Sequence, residues 1–439
     1  MSSEIIPNSQ FQGGFSVQTK ILTNFGFIDL AEVEERIDEV LFGKIDVATG
    51  MVKFRPAKIL TKNCEKMISL KITKPHYHLV VNEENTTFAR FTSGYERFSH
   101  KTPNYGIGGP NQSHPAGFQR ATFKTIRDTN EMAYFRMMST ITRGVKPNKF
   151  LNDTNLLEML KISKDNERDF FYLLGCCLNH GKFVNDNFQL RWHIASRSLK
   201  ARQLLEKLRV PFWVDKSSSK WGGFIITDRV WKKFMIEFSI SEHNSRNSIP
   251  YWIFLLPQYL AIEFIMGLGF HDRESNEKKI SLYKTGKESI PELIQLGVLS
   301  GCSMYFVLNA EAGTLYRRAL KETNRTVKKA EYESMTVEQR ENVRDFYEMN
   351  DRYVISIFLP VNKHDEKLDG SAAFLYYPAF NYRGGVEEIS NYNQTVWNVD
   401  FDSDLERSYI MAYTPNGKHH IRPLVVGSTK IEETELFDH

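Results

Sequence analysis

Short apolar runs, broken by glycines and polar turns, fill residues 17–80. Val17-Gln-Thr-Lys-Ile-Leu-Thr and Ile45-Asp-Val-Ala-Thr-Gly-Met-Val-Lys-Phe carry β-branched residues around a glycine, and Met67-Ile-Ser-Leu-Lys-Ile-Thr alternates apolar with polar. Alternation of period two sets one face of a chain on a core and the other in water, so these runs predict strands. Residues 92–119 are rich in Gly, Pro, Ser and Asn around Gly106-Ile-Gly-Gly-Pro-Asn, which predicts a long loop at a domain boundary. From Asn152 the spacing becomes helical. The charged segment Tyr316 to Tyr347 reads as helical too, and strands return with Tyr353-Val-Ile-Ser-Ile-Phe-Leu-Pro, Thr395-Val-Trp-Asn-Val-Asp-Phe and Tyr409-Ile-Met-Ala-Tyr. Two β-rich ends bracket an α/β middle. That pattern suits one β domain interrupted by another domain, or two small β domains.

The middle repeats itself. Tyr172-Leu-Leu-Gly-Cys-Cys-Leu-Asn-His-Gly predicts an apolar helix with small residues, followed by a short Lys182-Phe-Val strand, the strand Phe188-Gln-Leu-Arg-Trp-His-Ile, a helix over Ser196–Leu208 and the strand Val210-Pro-Phe-Trp-Val. The second copy is Ala261-Ile-Glu-Phe-Ile-Met-Gly-Leu-Gly-Phe-His-Asp, Ile280-Ser-Leu-Tyr-Lys, a helix over Glu288–Leu299 and Met304-Tyr-Phe-Val-Leu. His180 and Phe188 are each 92 residues before Asp272 and Ile280. Two copies of helix–strand–strand–helix–strand imply a pseudo-twofold unit. The apolar stretch Ile249–Phe270 holds Pro250, Pro257, Gln258 and Glu263 and has no basic flank, so it predicts a buried helix and not a membrane span.

Composition narrows the class. At 439 residues, 41% apolar and 25% charged, the chain is long enough for two or three domains, and a disordered chain, a collagen repeat and a disulfide miniprotein are excluded. The net charge of +4 alone does not imply nucleic acid. Its distribution does more. Residues 88–149 hold ten Lys/Arg against three Asp/Glu, residues 187–234 eleven against three, and residues 351–439 eight against fourteen. A basic middle and an acidic end suit a polyanion bound at the middle, although solvated helix faces would give similar counts. Cys64, Cys176, Cys177 and Cys302 form no CxxC pair, and the start Met1-Ser-Ser-Glu-Ile-Ile-Pro has no signal-peptide pattern. A reducing, cytoplasmic setting is expected.

The repeat resembles the LAGLIDADG homing endonucleases. Phe264-Ile-Met-Gly-Leu-Gly-Phe-His-Asp-Arg matches their motif helix with Asp272 in the acidic place, while Leu173-Leu-Gly-Cys-Cys-Leu-Asn-His-Gly has His180 there. The resemblance covers residues 150–345. The flanks resemble the Hint fold of inteins, which carry such an endonuclease as an insert. Gly14-Phe-Ser-Val-Gln-Thr-Lys-Ile-Leu-Thr-Asn-Phe-Gly-Phe is similar to an intein start with Gly14 in the nucleophile's place and Ser16 two residues on. Thr73-Lys-Pro-His76 matches the Thr-x-x-His block. Val396-Trp-Asn-Val-Asp-Phe is similar to a late strand block with Asn398 in place of Asp. Leu424-Val-Val-Gly-Ser-Thr resembles the intein end, with Gly427 and Ser428 for His-Asn and Thr429 as the first residue beyond.

The resemblance implies an α+β chain in which a split all-β Hint-like domain brackets a pseudo-twofold αββαβ–αββαβ endonuclease domain. The expected boundaries are a flanking peptide 1–13, a first Hint half 14–90, a basic connector 91–150 that is a DNA-contact candidate, the endonuclease 151–345, a second Hint half 346–428 and a tail 429–439. The implied partner is long double-stranded DNA, bound by a monomer with no membrane involved. Gln189, Arg191, His193, Ser281, Tyr283 and Lys284 would line the major groove. Asp272 would hold Mg²⁺, with His180 as its altered counterpart and Lys220 (or Lys216) as the basic catalytic group; Asp186 and Glu274 are acids that could compensate. Gly14 offers no side chain for acyl transfer and Ser428 no amide to cyclise, so splicing is expected to be lost. Two other readings fit the same residues: a DNA-binding protein on this scaffold that no longer cleaves, and a phage-type structural subunit.

Overall fold

The computed structural model describes residues 13–46, 51–73, 76–92, 119–130, 134–137, 156–184, 187–192, 195–215, 222–238, 249–269, 279–285, 290–359, 385–401, 409–415 and 424–427. The chain is α+β. Its N-terminal elements are β1 (Phe15–Ser16), β2 (Lys20–Thr23), β3 (Gly26–Asp29), α1 (Leu30–Glu35), β4 (Phe42–Asp46), β5 (Met51–Arg55), β6 (Lys58–Thr73), β7 (His76–Val81), β8 (Thr86–Thr92), β9 (Gln119–Thr122), α2 (Phe123–Asn130) and β10 (Tyr134–Met137). The middle holds α3 (Leu156–Met159), α4 (Glu167–His180), β11 (Gly181–Val184), β12 (Asn187–Trp192), α5 (Ala195–Lys207), β13 (Phe212–Asp215), β14 (Gly222–Ile226), α6 (Arg229–Phe238), α7 (Gln258–Leu268), β15 (Lys279–Thr285), α8 (Ile290–Leu299) and β16 (Ser303–Ala310). There follow β17 (Leu315–Leu320), β18 (Thr326–Val327), α9 (Lys329–Ser334), α10 (Val337–Glu341), β19 (Val343–Tyr347), β20 (Arg352–Phe358), β21 (Val386–Asp400), β22 (Tyr409–Tyr413) and β23 (Leu424–Gly427).

The two ends of the chain are woven into common sheets. β21 runs antiparallel to β6 from Asp400↔Lys58 to Val386↔Leu70, with a register shift between Ser390 and Gln394. With β1 and β7 these strands close a barrel. A second sheet has the order β10-β8-β23-β22-β2-β4-β5. Gly26, at φ +101°, turns β2 into β3, and the Thr23 hydroxyl donates to the Gly26 carbonyl at 2.8 Å. Part of the sequence-defined connector 91–150 belongs here, because β9 and β10 both pair with β8. Its Arg127 is spent on Asp128, Glu83 and Glu388, so this cation is a structural tie and not a free DNA contact.

The middle is built twice, and the unit is larger than the sequence predicts. Phe188 pairs with Ile226, and Ile226 with Phe212; in the second copy Ile280 pairs with Ile357, and Ile357 with Met304. The offset is 92 for the first and last of these strands and 131 for the middle one, so the second copy holds 39 more residues (131 − 92) in its final hairpin. Each copy therefore ends in two strands, not one. β20, which the expected boundary at residue 346 gave to the β domain, is the central strand of the second copy's sheet, β15-β20-β16. The residues that displace it, 311–351, are not one charged helix. They form the sheet β18-β17-β19 with α9 and α10, because a bulge at Tyr316 and a turn at Asn324 (φ +55°) interrupt any helical run.

The two parts share a core. In β2, β3 and β22, Leu22, Phe27, Tyr409, Met411 and Tyr413 face the same cluster as Phe170, Leu293, Leu296 and Ile355 of the insert. The alternate residues Ile21, Ile28, Ile410 and Ala412 face the barrel core with Phe15, Leu70 and Trp397. A sheet covered on both faces has no polar side, which is why Tyr409-Ile-Met-Ala-Tyr reads as a continuous apolar run. The apolar stretch from Ile249 resolves into a 3-10 turn over Tyr251–Leu255 and the 11-residue α7. Among the described residues no helix is long and apolar enough to cross a membrane.

Candidate functional site

Three places carry the residues that the sequence points to. The first is the seam between α4 and α7. A Cβ on Gly175 would overlap the Phe264 carbonyl oxygen, and a Cβ on Gly267 would overlap the Tyr172 carbonyl oxygen. These two contacts exchange under the 92-residue shift, since it carries 175 to 267 and 172 to 264. The helices run parallel: the Tyr259 hydroxyl donates to Glu167 at their N-terminal ends (3.4 Å), and the Asn179 amide donates to the Leu268 carbonyl at their C-terminal ends (2.7 Å). Asn179 thus satisfies one of the carbonyls that the end of α7 leaves without a helical partner. His180 is brought to this shared end, and its Nε2 accepts from the Asn179 amide at 3.1 Å. Burial pushes the thiols of Cys176 and Cys177 well up, so both are inert packing groups in the seam. Asp272, Lys216, Lys220, Asp186 and Glu274 lie outside the described residues. Among the described residues no three His, Cys, Asp or Glu side chains cluster closely enough to hold a metal. An imidazole engaged by an amide does not fit Mg²⁺, which takes hard oxygens in an octahedron.

The second place is the pair of sheets. Phe188, Leu190, Phe224 and Ile226 are buried beneath the first sheet. On the opposite face Gln189 pairs with Ile225 and Ile225 with Trp213. Gln189 is only 5% exposed and its side-chain amide is hydrogen-bonded to Asp215, so it is a packing residue of this sheet, contrary to the expected DNA contact. Trp213 is instead 71% exposed. Three consecutive apolar residues, Phe212-Trp213-Val214, gave no sequence signal for it, since they read as buried. Arg191 has the same strand parity as Gln189. In the second sheet Ser281 pairs with Ser356, Tyr283 with Val354 and Lys284 with Tyr353. His193 lies outside the described residues.

The third place joins the two ends of the β domain. The Gly14 N–H donates to Asn85 Oδ1 at 2.7 Å, and Asn85 Nδ2 donates to the Gly427 carbonyl at 3.0 Å. One amide therefore bridges residues 14 and 427. Gly14 also accepts from the Asn82 N–H at 2.8 Å. Gly14 sits at φ +146°, where L side chains are rarely found, and a Cβ on Gly427 would overlap the Thr86 hydroxyl and lie 2.9 Å from the Tyr409 ring. Ser16, Thr19 and Thr414 form a hydroxyl chain beside them, with steps of 3.0 and 2.9 Å, and Thr414 Oγ1 accepts from the Val80 N–H. Thr73 and His76 pair across the β6–β7 turn. Beside this turn His78 has Nδ1 at 3.0 Å from the Thr414 carbonyl; burial and the Lys71 charge hold its pKa below 6.5, against two raising backbone contacts at Thr414 and Pro415. Asn398 is buried and its Oδ1 accepts from the Val399 N–H. Ser428 and Thr429 lie outside the described residues. Asn85, Thr19 and Thr414 were not legible as site residues, because their roles depend on segments more than 300 residues apart meeting. No protein-family model matches this chain, and no curated protein matches it significantly.

Proposed function

We propose that the chain is an intein-derived protein on the LAGLIDADG homing-endonuclease scaffold that binds a long duplex DNA across its two repeated sheets and has lost splicing. The observation that carries the reading is the reciprocal seam, in which Gly175 meets Phe264 as Gly267 meets Tyr172. Such a seam relates two copies of one unit by an approximate twofold, which suits the dyad symmetry of a duplex. The bridge from Gly14 through Asn85 to Gly427 supports the intein half of the reading, since an intein must bring its two junctions together. The exposed Trp213 and the local excess of basic residues in 187–234 favour a nucleic acid.

The activity this scaffold implies is phosphodiester hydrolysis with Mg²⁺ held at Asp272. His180 favours a second reading, in which the protein binds DNA without cutting it, because the place of the second carboxylate has an imidazole engaged by Asn179. Nicking of supercoiled plasmid with and without Mg²⁺, alongside salt-dependent duplex binding, separates the two. Cleavage that Asp272→Asn abolishes while binding persists supports the enzyme. Binding without cleavage, with cleavage gained in His180→Asp, supports the second reading. No salt-dependent binding to duplex DNA rejects both.

A further inference from the structure

Most of the 39 residues that the second copy has in excess lie in a module, residues 311–351, with two unlike faces. The ladder between β16 and β20 ends at Ala310↔Arg352, and backbone bonds between Gly313 and Glu348 (2.8 Å) and between Glu348 and Thr314 (2.9 Å) carry it on into the module. The module is thus a stiff extension of the second sheet. Residues 311–351 hold eight Lys/Arg against nine Asp/Glu, so bulk charge says nothing for a polyanion. The distribution does. On one face Arg318 pairs with Asp345 at 3.0 Å and stacks on Tyr332 with Arg340, and Arg325 pairs with Glu331. On the other face Arg317 and Arg344 lie over the Phe346 ring at 5.3 and 5.2 Å, and the bulged Tyr316 stands 6.4 Å from it. Tyr316 and Arg344 are exposed. Among the described residues neither Arg317 nor Arg344 pairs with a carboxylate; Arg317 spends Nη2 on Asn324. The Arg317 Nε is buried without a partner among the described residues, whereas Arg344 is exposed; a guanidinium stacked on a ring in this way loses little hydration and keeps its N–H edge for a phosphate.

We infer that the face bearing Tyr316, Arg317, Arg344 and Phe346 is a second contact surface for duplex DNA, gripping backbone phosphates beyond one end of the two repeated sheets. It rests on the reading of the two sheets as a duplex-binding surface. The first copy has six residues, 216–221, where this module stands, so the footprint on DNA is lopsided: longer on the side of the second copy.

The test is the salt dependence of binding of the full-length protein to a long random-sequence duplex. Each phosphate contact contributes about 0.9 to the slope of log Kobs against log salt. Arg317→Gln with Arg344→Gln is expected to flatten the slope by about 1.8, and Arg344→Gln alone by about 0.9. The single variant removes only an exposed side chain stacked on a ring, so it folds even if loss of the Arg317–Asn324 bonds harms the double variant. Arg191→Gln, in the first sheet, is the control. A slope that falls in Arg191→Gln but is unchanged in Arg344→Gln and in a folded double variant overturns the module proposal and leaves the reading of the two repeated sheets intact. Absence of duplex binding in the unaltered protein overturns both. Preference for a single-stranded oligonucleotide over the duplex, lost in Arg344→Gln, overturns the duplex assignment of this face.

Discussion

Asn85 ties Gly14 to Gly427 with one side chain, and Asn85→Ala leaves a buried N–H and a buried carbonyl without partners. Each costs about 1–3 kcal/mol, so a loss of roughly 2–6 kcal/mol is expected in a denaturant titration. On the proposed reading, the same crowding also stands against recovery of splicing by simple reversion. Restoring Cys at 14, His at 427 and Asn at 428 puts a side chain where φ is +146° and another onto Thr86 and Tyr409. That triple variant is expected to stay intact, at the 51.0 kDa of the unaltered chain plus the mass of the three larger side chains; a ligated flanking peptide in the mass spectrum would refute this. His78 gives a pH signature. Its pKa in the fold is held below 6.5, so the unfolded chain takes up the proton first. Stability is then level above about pH 6.5, falls as pH drops below it, and levels again below the pKa in the fold. His78→Gln is expected to remove that part of the acid loss, measured as the difference between the two stability profiles. At this scale the sequence named Gly14 and Gly427 through a resemblance to known motifs. It could not name Asn85, which gains its role only when three distant segments meet.

At the scale of elements, the seam between α4 and α7 sets the sharpest expectation. A methyl at Gly175 or Gly267 meets backbone and not a flexible side chain, so the helices must part. Gly175→Ala and Gly267→Ala should each cost about 3 kcal/mol, the upper part of the range for overpacking. Because the two contacts are neighbours in one seam, the double variant should lose clearly less than the sum, since the first methyl already opens the space the second needs. A double-mutant cycle by chemical denaturation checks both statements. The motif helices and their 92-residue spacing were readable because small residues on a helical period are a local signal. The partner strands β14 and β20 were not. β14 begins seven residues after the end of β13 within a basic stretch, while 39 extra residues separate β20 from its own copy and bring it close in sequence to the strands of the other domain.

Across the whole molecule, the β domain and the repeated insert bury apolar residues in one continuous cluster, with α8 lying on β3 so closely that a Cβ on Gly26 would come 3.1 Å from Gln295. The expected behaviour is one cooperative unfolding transition, coincident by tryptophan fluorescence and far-ultraviolet circular dichroism. A fragment of residues 151–359 alone would expose Leu293, Leu296 and their neighbours and is expected to aggregate; two resolved transitions, or a soluble folded fragment, would contradict this. Nothing in the sequence announced the shared core, because an apolar run looks the same whether its second face meets its own domain or another. On the proposed reading this weld constrains how such a lineage can change. Neither half can be shed by deletion without stripping the cover from the other, so the route left open is wear by point replacement. The departures at Gly14, Gly427, Ser428 and His180 are all of that kind: single letters altered inside an architecture that could not afford to lose a limb.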